Sequence, residues 1–176
     1  MNPDLYFRAL RFASIAHGDQ REPDGVHIYL VHPVSVAAEV IAACEVESGR
    51  DVDLAVASAL MHDVVEDTDT GLEQIERAFG KAVAAGVDAL SKREGLPRDQ
   101  AMDDSLRRIR EQPPEVWMVK LADRIVNLTP PVPRHWDQPK KERYREEGRK
   151  ILAALGEASP HLARRLQERI DGYPVV

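Results

Sequence analysis

The stretch Leu60-Met61-His62-Asp63-Val64-Val65-Glu66-Asp67-Thr68 changes from apolar to acidic within a few residues. His62 and Glu66 are four residues apart, as are Asp63 and Asp67, so each pair shares a helix face if the helix continues. This spacing stacks one imidazole and three carboxylates beside apolar neighbours. Like charges at helical spacing destabilise a helix by about 0.2–0.5 kcal/mol per pair, and burying them unpaired costs more. A solvated acidic helix end is one interpretation, but the apolar surroundings favour a bound metal ion.

Length and charge limit the classes of protein to which this chain can belong. With 176 residues, it is long enough to bury a core and is predicted to form one domain, residues 1–176. It has 24 Lys and Arg against 30 Asp and Glu, and no basic block is interleaved with aromatics. We therefore expect no nucleic-acid partner, although a local basic pocket for a phosphorylated small molecule is compatible with this balance.

The sequence shows no signal peptide and no apolar run of membrane-spanning length, because charged residues interrupt the N-terminal apolar pattern. We therefore expect a cytoplasmic protein without a membrane partner. A homo-oligomer is compatible with the sequence.

Helical spacing of apolar residues dominates the chain and predicts an all-α fold. Pro33 and Asp51 are predicted to mark helix starts, and Thr70 and Glu73 to form a capping box for a later helix. His32 is predicted to be extended because it precedes a proline. Residues 26–31 and 129–139 are predicted to be irregular. Predicted helices cover residues 2–17, 33–47, a central helix after the Asp51 cap, 70–79, 81–90, 97–112, 115–128, 140–155 and 159–170.

Two other places offer ligands for the same ion. His32 precedes Pro33, although a His-Pro pair is more often only a helix entry. Segment 120–128 reads Lys-Leu-Ala-Asp-Arg-Ile-Val-Asn-Leu and places Asp123 and Asn127 on one face of an otherwise apolar helix. An exposed aspartate between two cations would ordinarily form an ion pair. Two nitrogen and two carboxylate ligands suit manganese or iron better than a structural zinc. The candidate ligands are His32, His62, Asp63 and Asp123.

These motifs, in this order, resemble the HD-domain hydrolases of the RelA/SpoT type, and most closely the small stand-alone alarmone hydrolases. The resemblance covers residues 5–155 and rests on the His-Pro pair, on His-Asp followed by Val-Val-Glu-Asp-Thr, and on Lys-Leu-Ala-Asp-Arg…Asn-Leu. It implies a single-domain helical bundle with a metal site between helices and Mn²⁺ as cofactor. The implied reaction is removal of the 3′-pyrophosphate from (p)ppGpp-like nucleotides.

The resemblance also implies roles for individual residues. The four candidate ligands correspond to the metal ligands of the family. The acidic pair that orients or deprotonates the attacking water corresponds to Glu66 and Asp67. Arg21 corresponds to an arginine that packs against the base, and Asn127 to a residue that contacts the nucleotide. Lys140 and Tyr144 correspond to a cation and a tyrosine of the late helix near the substrate. The implied partner is therefore a purine nucleotide.

One loop departs from the family pattern in a way that bears on the base. Family members commonly carry a cation after the arginine, whereas this chain has Glu22 followed by Pro23. An acidic side chain there would favour the amino group of adenine over O6 of guanine, because a polar group left unpaired costs about 1–3 kcal/mol. The expected substrate is therefore (p)ppGpp or its adenine counterpart (pp)pApp.

Two other functions are compatible with the same residues. A different HD phosphohydrolase, acting on nucleoside monophosphates or on the 2′-phosphate of NADPH, would use the same metal site and release orthophosphate. A nucleotide-sensing module would bind without turnover. The intact Glu66-Asp67 pair argues against the sensor, since a sensor has no need for groups that activate water.

Overall fold

The computed structural model describes residues 1–93, 95–133 and 135–174, and every regular element within them is helical. This confirms the all-α prediction. Within the described residues, Arg21 and Ile28 form an isolated antiparallel β-bridge. The helices are α1 (Pro3–His17), α2 (Val31–Val46), α3 (Val52–Met61), α4 (Val64–Asp67), α5 (Leu72–Phe79), α6 (Lys81–Leu90), α7 (Arg98–Arg110), α8 (Pro114–Asn127), α9 (Gln138–Leu155) and α10 (Pro160–Gly172), with a 3-10 turn at Gly156–Ala158.

Helix α2 starts two residues earlier than predicted. It begins at Val31, so His32 lies in the first helical turn and the prediction of an extended His32 is wrong. A tight turn leads into the helix, since the His32 N–H donates to the Tyr29 carbonyl at 2.9 Å. Pro33 is tolerated because an N–H in the first turn has no intrahelical acceptor. The early start fixes the backbone of His32 within a helix.

The two predicted helix caps have different outcomes. Asp51 caps α3 as predicted, with its carboxylate accepting a backbone N–H of the first turn. The predicted box of Thr70 and Glu73 is wrong, because Gly71 is the N-cap of α5 and the Gln74 side chain accepts the Gly71 N–H at 2.9 Å. Glycine is accepted at N-caps but has no side chain to accept an N–H, so Gln74 forms only half of a capping box, and its own N–H donates to the Gly71 carbonyl at 3.0 Å.

The central helix does not continue unbroken into the acidic residues. Helix α3 ends at Met61, and the single turn α4 follows after His62 and Asp63. The Asp67 N–H still donates to the Asp63 carbonyl at 2.9 Å, so Asp63 and Asp67 keep a helical relation. The break places His62 and Asp63 at a corner between two helices, where both side chains lie near His32 of α2 and His62 also lies 3.9 Å from Asp123 of α8.

Helices α2, α3 and α8 pack against one another at the centre, with α1 and α6 on α3 and with α9 and α10 on α8. Alanines on α3 are fully buried and let its neighbours approach closely. A Cβ on Gly86 of α6 would lie 2.9 Å from Val116 Cγ2, so only glycine fits there. Buried residues from α1 to α10 form one continuous core, and the domain bounds of 1–176 stay a prediction.

The connections follow most of the predicted irregular segments, but α2 begins at Val31 and α9 at Gln138, so the ends of both segments are helical. Residues 129–133 and 135–137 form no regular element, and the 91–96 loop connects α6 to the start of α7; positions 94 and 134 lie outside the described residues. Among the described helices, none has the length and apolarity needed to cross a bilayer.

Candidate active site

Three regions of the fold bring the four candidate ligands together. The Nε2 atom of His32 lies 3.2 Å from Nε2 of His62 and 3.4 Å from Oδ1 of Asp123. Asp63 Oδ2 lies 2.9 Å from the His62 nitrogen and 3.5 Å from the His32 nitrogen. Two ligands at right angles, each about 2.1 Å from an ion, are separated by about 3.0 Å. These separations therefore suit a shared divalent ion.

The donor atoms of His62 are oriented by the backbone. Its Nδ1–H donates to the Ala59 carbonyl at 2.8 Å, so Nε2 is the nitrogen that points toward the cluster and is available to a metal ion. A backbone carbonyl on the second nitrogen is the usual arrangement for a histidine that ligates a metal. The side chain is almost fully buried, at 2% exposure, so this orientation is held by packing.

Both carboxylates of the cluster accept further hydrogen bonds. The Tyr29 hydroxyl donates to Asp63 Oδ2 at 2.6 Å. Lys120 donates to Asp123 Oδ2 at 2.9 Å, and the Asn127 amide donates to Oδ1 of the same residue at 2.5 Å. Lys120 thus forms the ion pair considered for this segment, but it is buried and holds a candidate ligand. These contacts fix the carboxylate oxygens in place.

The electrostatics of the cluster favour positive charge at its centre. Burial alone would lower the pKa of His62, yet the charges of Asp63 and Asp123 raise it to about 9. Despite burial, the adjacent histidines and Lys120 hold the pKa values of Asp63 and Asp123 below their usual range. Carboxylates that remain ionised and imidazole nitrogens that point inward are the donor set of a divalent cation site. His32, His62 and Asp123 converge most tightly, and Asp63 contacts both histidines.

The acidic residues of α4 line the same cleft as the cluster. Glu66 accepts two hydrogen bonds from one residue, at 2.6 Å from the Lys92 ammonium and at 3.0 Å from the Lys92 backbone N–H. Asp67 behaves differently, because burial and the charges of Asp63 and Glu66 raise its pKa while hydrogen bonding from Tyr29 and Gln20 opposes the rise. A carboxylate with a raised pKa is the better proton acceptor near neutral pH.

Thr68 explains why the acidic turn ends where it does. Its hydroxyl donates to the Val64 carbonyl at 2.7 Å and accepts the Thr70 N–H at 3.1 Å. These bonds satisfy a carbonyl at the end of α4 and turn the chain toward α5. The threonine thus closes the turn that carries Glu66 and Asp67.

A cleft of about 940 Å³ opens over the cluster and is large enough for a nucleotide. Of the predicted substrate contacts, Asn127 and Tyr144 line it. Lys140 is not among its described lining residues; its ammonium lies 4.2 Å from the centre of the Trp136 ring. Arg21 is also not among them; it is exposed and donates to the Val26 carbonyl at 2.8 Å. The structure thus brings two of the four predicted contacts to the cleft wall.

Besides Tyr29, which lines the cleft and donates to Asp63, the sequence analysis missed two further cleft residues. Lys92 carries a cation to the acidic pair, and its pKa is raised by Glu66, Asp63 and Asp123 against the effect of burial. Trp136 lines the cleft at 8% exposure with its ring centre 4.4 Å from that of Tyr144. Trp136 could have been noticed as a tryptophan inside a proline-rich connection. The residues around Lys92 gave no indication of its role.

Comparisons with known proteins found relatives along most of the chain. A family model of the HD domain matches residues 9–161. The chain is 29% identical over 169 residues to guanosine-3′,5′-bis(diphosphate) 3′-pyrophosphohydrolase MESH1 of Danio rerio, covering 93% of this chain and 91% of that protein. It is 30% identical over 152 residues to the protein of the same name from Homo sapiens, covering 84% and 82%.

A solved structure shows the same fold. It belongs to a metazoan orthologue of SpoT that hydrolyses ppGpp, and it matches with a TM-score of 0.83 at 23% identity, covering 100% of this chain and 99% of that one. The family model includes all four candidate ligands, and the relatives confirm the resemblance that the motifs indicated. This chain therefore belongs to the HD-domain family.

Proposed function

We propose that this chain is a Mn²⁺-dependent hydrolase that removes the 3′-pyrophosphate from (p)ppGpp or its adenine counterpart (pp)pApp. The observation that carries the proposal is the meeting of His32, His62, Asp63 and Asp123 in a nucleotide-sized cleft that Glu66 and Asp67 also line. The relatives support the substrate class, because the MESH1 proteins are named for hydrolysis of the 3′-pyrophosphate of guanosine bis(diphosphate).

The metal would be held by the two imidazole nitrogens and two carboxylates of the cluster. Hard carboxylate ligands combined with histidines suit Mn²⁺ or Fe²⁺, and Mn²⁺ is the ion we propose. When bound, a divalent ion supplies Lewis acidity that neutralises phosphoryl charge and makes water a better nucleophile at neutral pH. Tyr29, Lys120 and Asn127 keep the carboxylate oxygens oriented for that ion through the hydrogen bonds described above.

Glu66 and Asp67 of α4 have different roles toward the attacking water. Asp67 takes the proton of the attacking water, because its raised pKa suits a general base. Glu66 orients that water, while the backbone N–H of Lys92 holds its carboxylate in place and the Lys92 ammonium pairs with it. Water adds to the phosphorus next to the 3′ oxygen, the bond between them breaks, and the 3′ oxygen leaves as a hydroxyl once it is protonated. The products are pyrophosphate and the 5′-phosphorylated nucleoside.

The nucleoside is proposed to lie against the aromatic side of the cleft. Trp136 and Tyr144 form adjacent rings there, with Lys140 over the first and the Arg124 guanidinium 4.8 Å from the centre of the second. Purines stack well on such surfaces. The stacking role of Arg21 stays a prediction.

The adenine alternative is favoured by the position of Glu22. Its side chain is partly buried and lines the cleft, so it faces the ligand space and is not fully exposed to solvent. A carboxylate accepts a hydrogen bond from the amino group of adenine but has no donor for O6 of guanine. We therefore propose adenine alarmones as substrates beside ppGpp.

A substrate panel tests the function. The purified protein is incubated with ppGpp, ppApp, a nucleoside monophosphate and NADPH, with Mn²⁺ or with chelator, and pyrophosphate and orthophosphate are measured separately. We expect pyrophosphate from the first two, dependent on Mn²⁺. Orthophosphate from the last two would instead show a phosphatase. Nucleotide binding without any product would show a sensing module.

A further inference from the structure

His17, at the end of α1, is a buried histidine outside the metal cluster. It is 5% exposed, and its Nδ1 lies 2.8 Å from the Gln20 side-chain oxygen. Its ring also packs against the ring of Tyr29, with centres 4.7 Å apart. A buried histidine is most often structural, but these two neighbours lie next to Asp67 and Asp63 of the site.

The first neighbour leads to Asp67. A second cavity of about 490 Å³ has His17, Gln20 and Asp67 among its lining residues. Gln20 and Asp67 line this cavity together, and hydrogen bonding from the Gln20 side chain opposes the rise in the pKa of Asp67. A carboxylate only accepts hydrogen bonds, so the amide group of Gln20 that faces it must be the NH₂.

This orientation determines the proton on His17. With its NH₂ toward Asp67, Gln20 presents its oxygen to His17, and the hydrogen bond then requires that Nδ1 carry the hydrogen. Without that donor, the amide is free to rotate by half a turn and to present its oxygen to the carboxylate, which repels it. His17 thus sets which end of the amide meets Asp67.

The second neighbour leads to Asp63. The Tyr29 hydroxyl donates to Asp63 at 2.6 Å, and its ring lies between His17 and His32, the latter with its centre 5.6 Å away. Tyr29 is also tied to the loop, since its backbone N–H donates to the Gln20 carbonyl at 2.8 Å. His17 therefore contacts both side chains that approach the two aspartates.

We propose that His17 is a positioning residue for the hydrolytic reaction, acting on Asp67 through the Gln20 amide and supported by Tyr29. The proposal rests on the proposed function, in which Asp67 accepts the proton of water. His17 and Gln20 would then support the general base from the side of α4 that faces α1. A histidine with a purely structural role would act on folding and would show no dependence on Asp67.

A double-mutant cycle tests the proposal with ppGpp as substrate. His17→Leu is expected to lower kcat about tenfold, the loss expected for one hydrogen bond to an ionised group, with KM and metal content unchanged. In an Asp67→Asn background, the same change is expected to have no further effect. His17→Asn, which keeps an N–H near the position of Nδ1, is expected to restore most of kcat. Ser14→Ala, on the exposed side of α1, is the control.

Equal losses in both backgrounds, or an Asn variant as impaired as the Leu variant, would overturn the proposal. If His17→Leu does not fold, Gln20→Leu on the partly exposed loop replaces it. It must show the same loss and the same dependence on Asp67, and additive losses would contradict the coupling.

A spectroscopic measurement separates this inference from the proposed function. The side-chain amide resonance of Gln20 is identified by its disappearance in Gln20→Leu, in protein without substrate. It is expected to shift in His17→Asn and Asp67→Asn and to stay in place in Ser14→Ala. An amide resonance insensitive to both changes would refute the relay even in an active enzyme. Shifts in a protein that releases no pyrophosphate would refute the proposed function alone.

Discussion

Replacing Lys92 with Met is expected to weaken substrate binding while leaving the fold nearly unchanged. The Lys92 ammonium lies 2.6 Å from Glu66, but its side chain is 42% exposed, so the pair contributes under about 1 kcal/mol to folding. For a chain of this length, that corresponds to a change in Tm of at most about 4 °C. The Lys92 backbone N–H still donates to Glu66 at 3.0 Å after the change, so the carboxylate keeps its position.

Substrate binding should be weakened far more than folding. Lys92 lines the cleft next to the acidic pair that acts on the attacking water, so we expect it to contact the 3′-diphosphate. A hydrogen bond to a charged group is worth about 1.5–3 kcal/mol. We therefore expect KM for ppGpp to rise by about 10- to 150-fold, with kcat within about threefold of wild type.

Steady-state pyrophosphate release and thermal unfolding measure these effects side by side. Arg93→Met is the matched control, because Arg93 is the next residue and pairs with Asp88 at 3.0 Å. It is expected to change KM less than twofold. A hundredfold loss of kcat at unchanged KM in Lys92→Met would refute the reasoning, since Lys92 would then act only by holding Glu66.

Three further predictions follow from the site. Asp63→Ala should lose both bound Mn²⁺, measured by elemental analysis, and turnover; full activity would exclude it as a ligand. Glu66→Gln and Asp67→Asn should each keep the metal while kcat falls about 100-fold or more, and loss of metal instead would make these residues ligands. Glu22→Lys should shift the ratio of kcat/KM for ppGpp over ppApp toward ppGpp by about tenfold or more; an unchanged ratio would place Glu22 outside contact with the base.

The residues that sequence motifs could identify are those whose spacing along one helix is itself the signal. Asp123 and Asn127 are four apart on α8, and the structure places them in hydrogen-bonding contact. His62 and Asp63 are adjacent in sequence, so a single local turn is enough to bring both side chains to the cluster. Local spacing thus predicted which side chains meet, although it did not predict that the helix would break between α3 and α4.

Contacts between distant segments were beyond such reasoning. Lys92 reaches Glu66 across 26 residues, and its sequence neighbours are those of an ordinary polar loop. Trp136 meets Tyr144 only because an irregular connection folds back onto α9. The predicted starts of α2 and α5 were wrong by one or two residues, because local backbone hydrogen bonds such as those of His32 to Tyr29 and of Gln74 to Gly71 determine where a helix begins.

The single turn α4 has a consequence for how the protein loses activity on heating. An isolated helix of four residues is far too short to be stable in water, so this turn persists only through contacts made by Val64, Thr68 and the side chains that reach its two acids. Opening of this turn exposes little apolar surface compared with opening of α3 or α8, and its free energy lies well below that of global unfolding. Inactivation should therefore precede the loss of helical circular dichroism, and amides of residues 64–67 should exchange with solvent faster than those of α3.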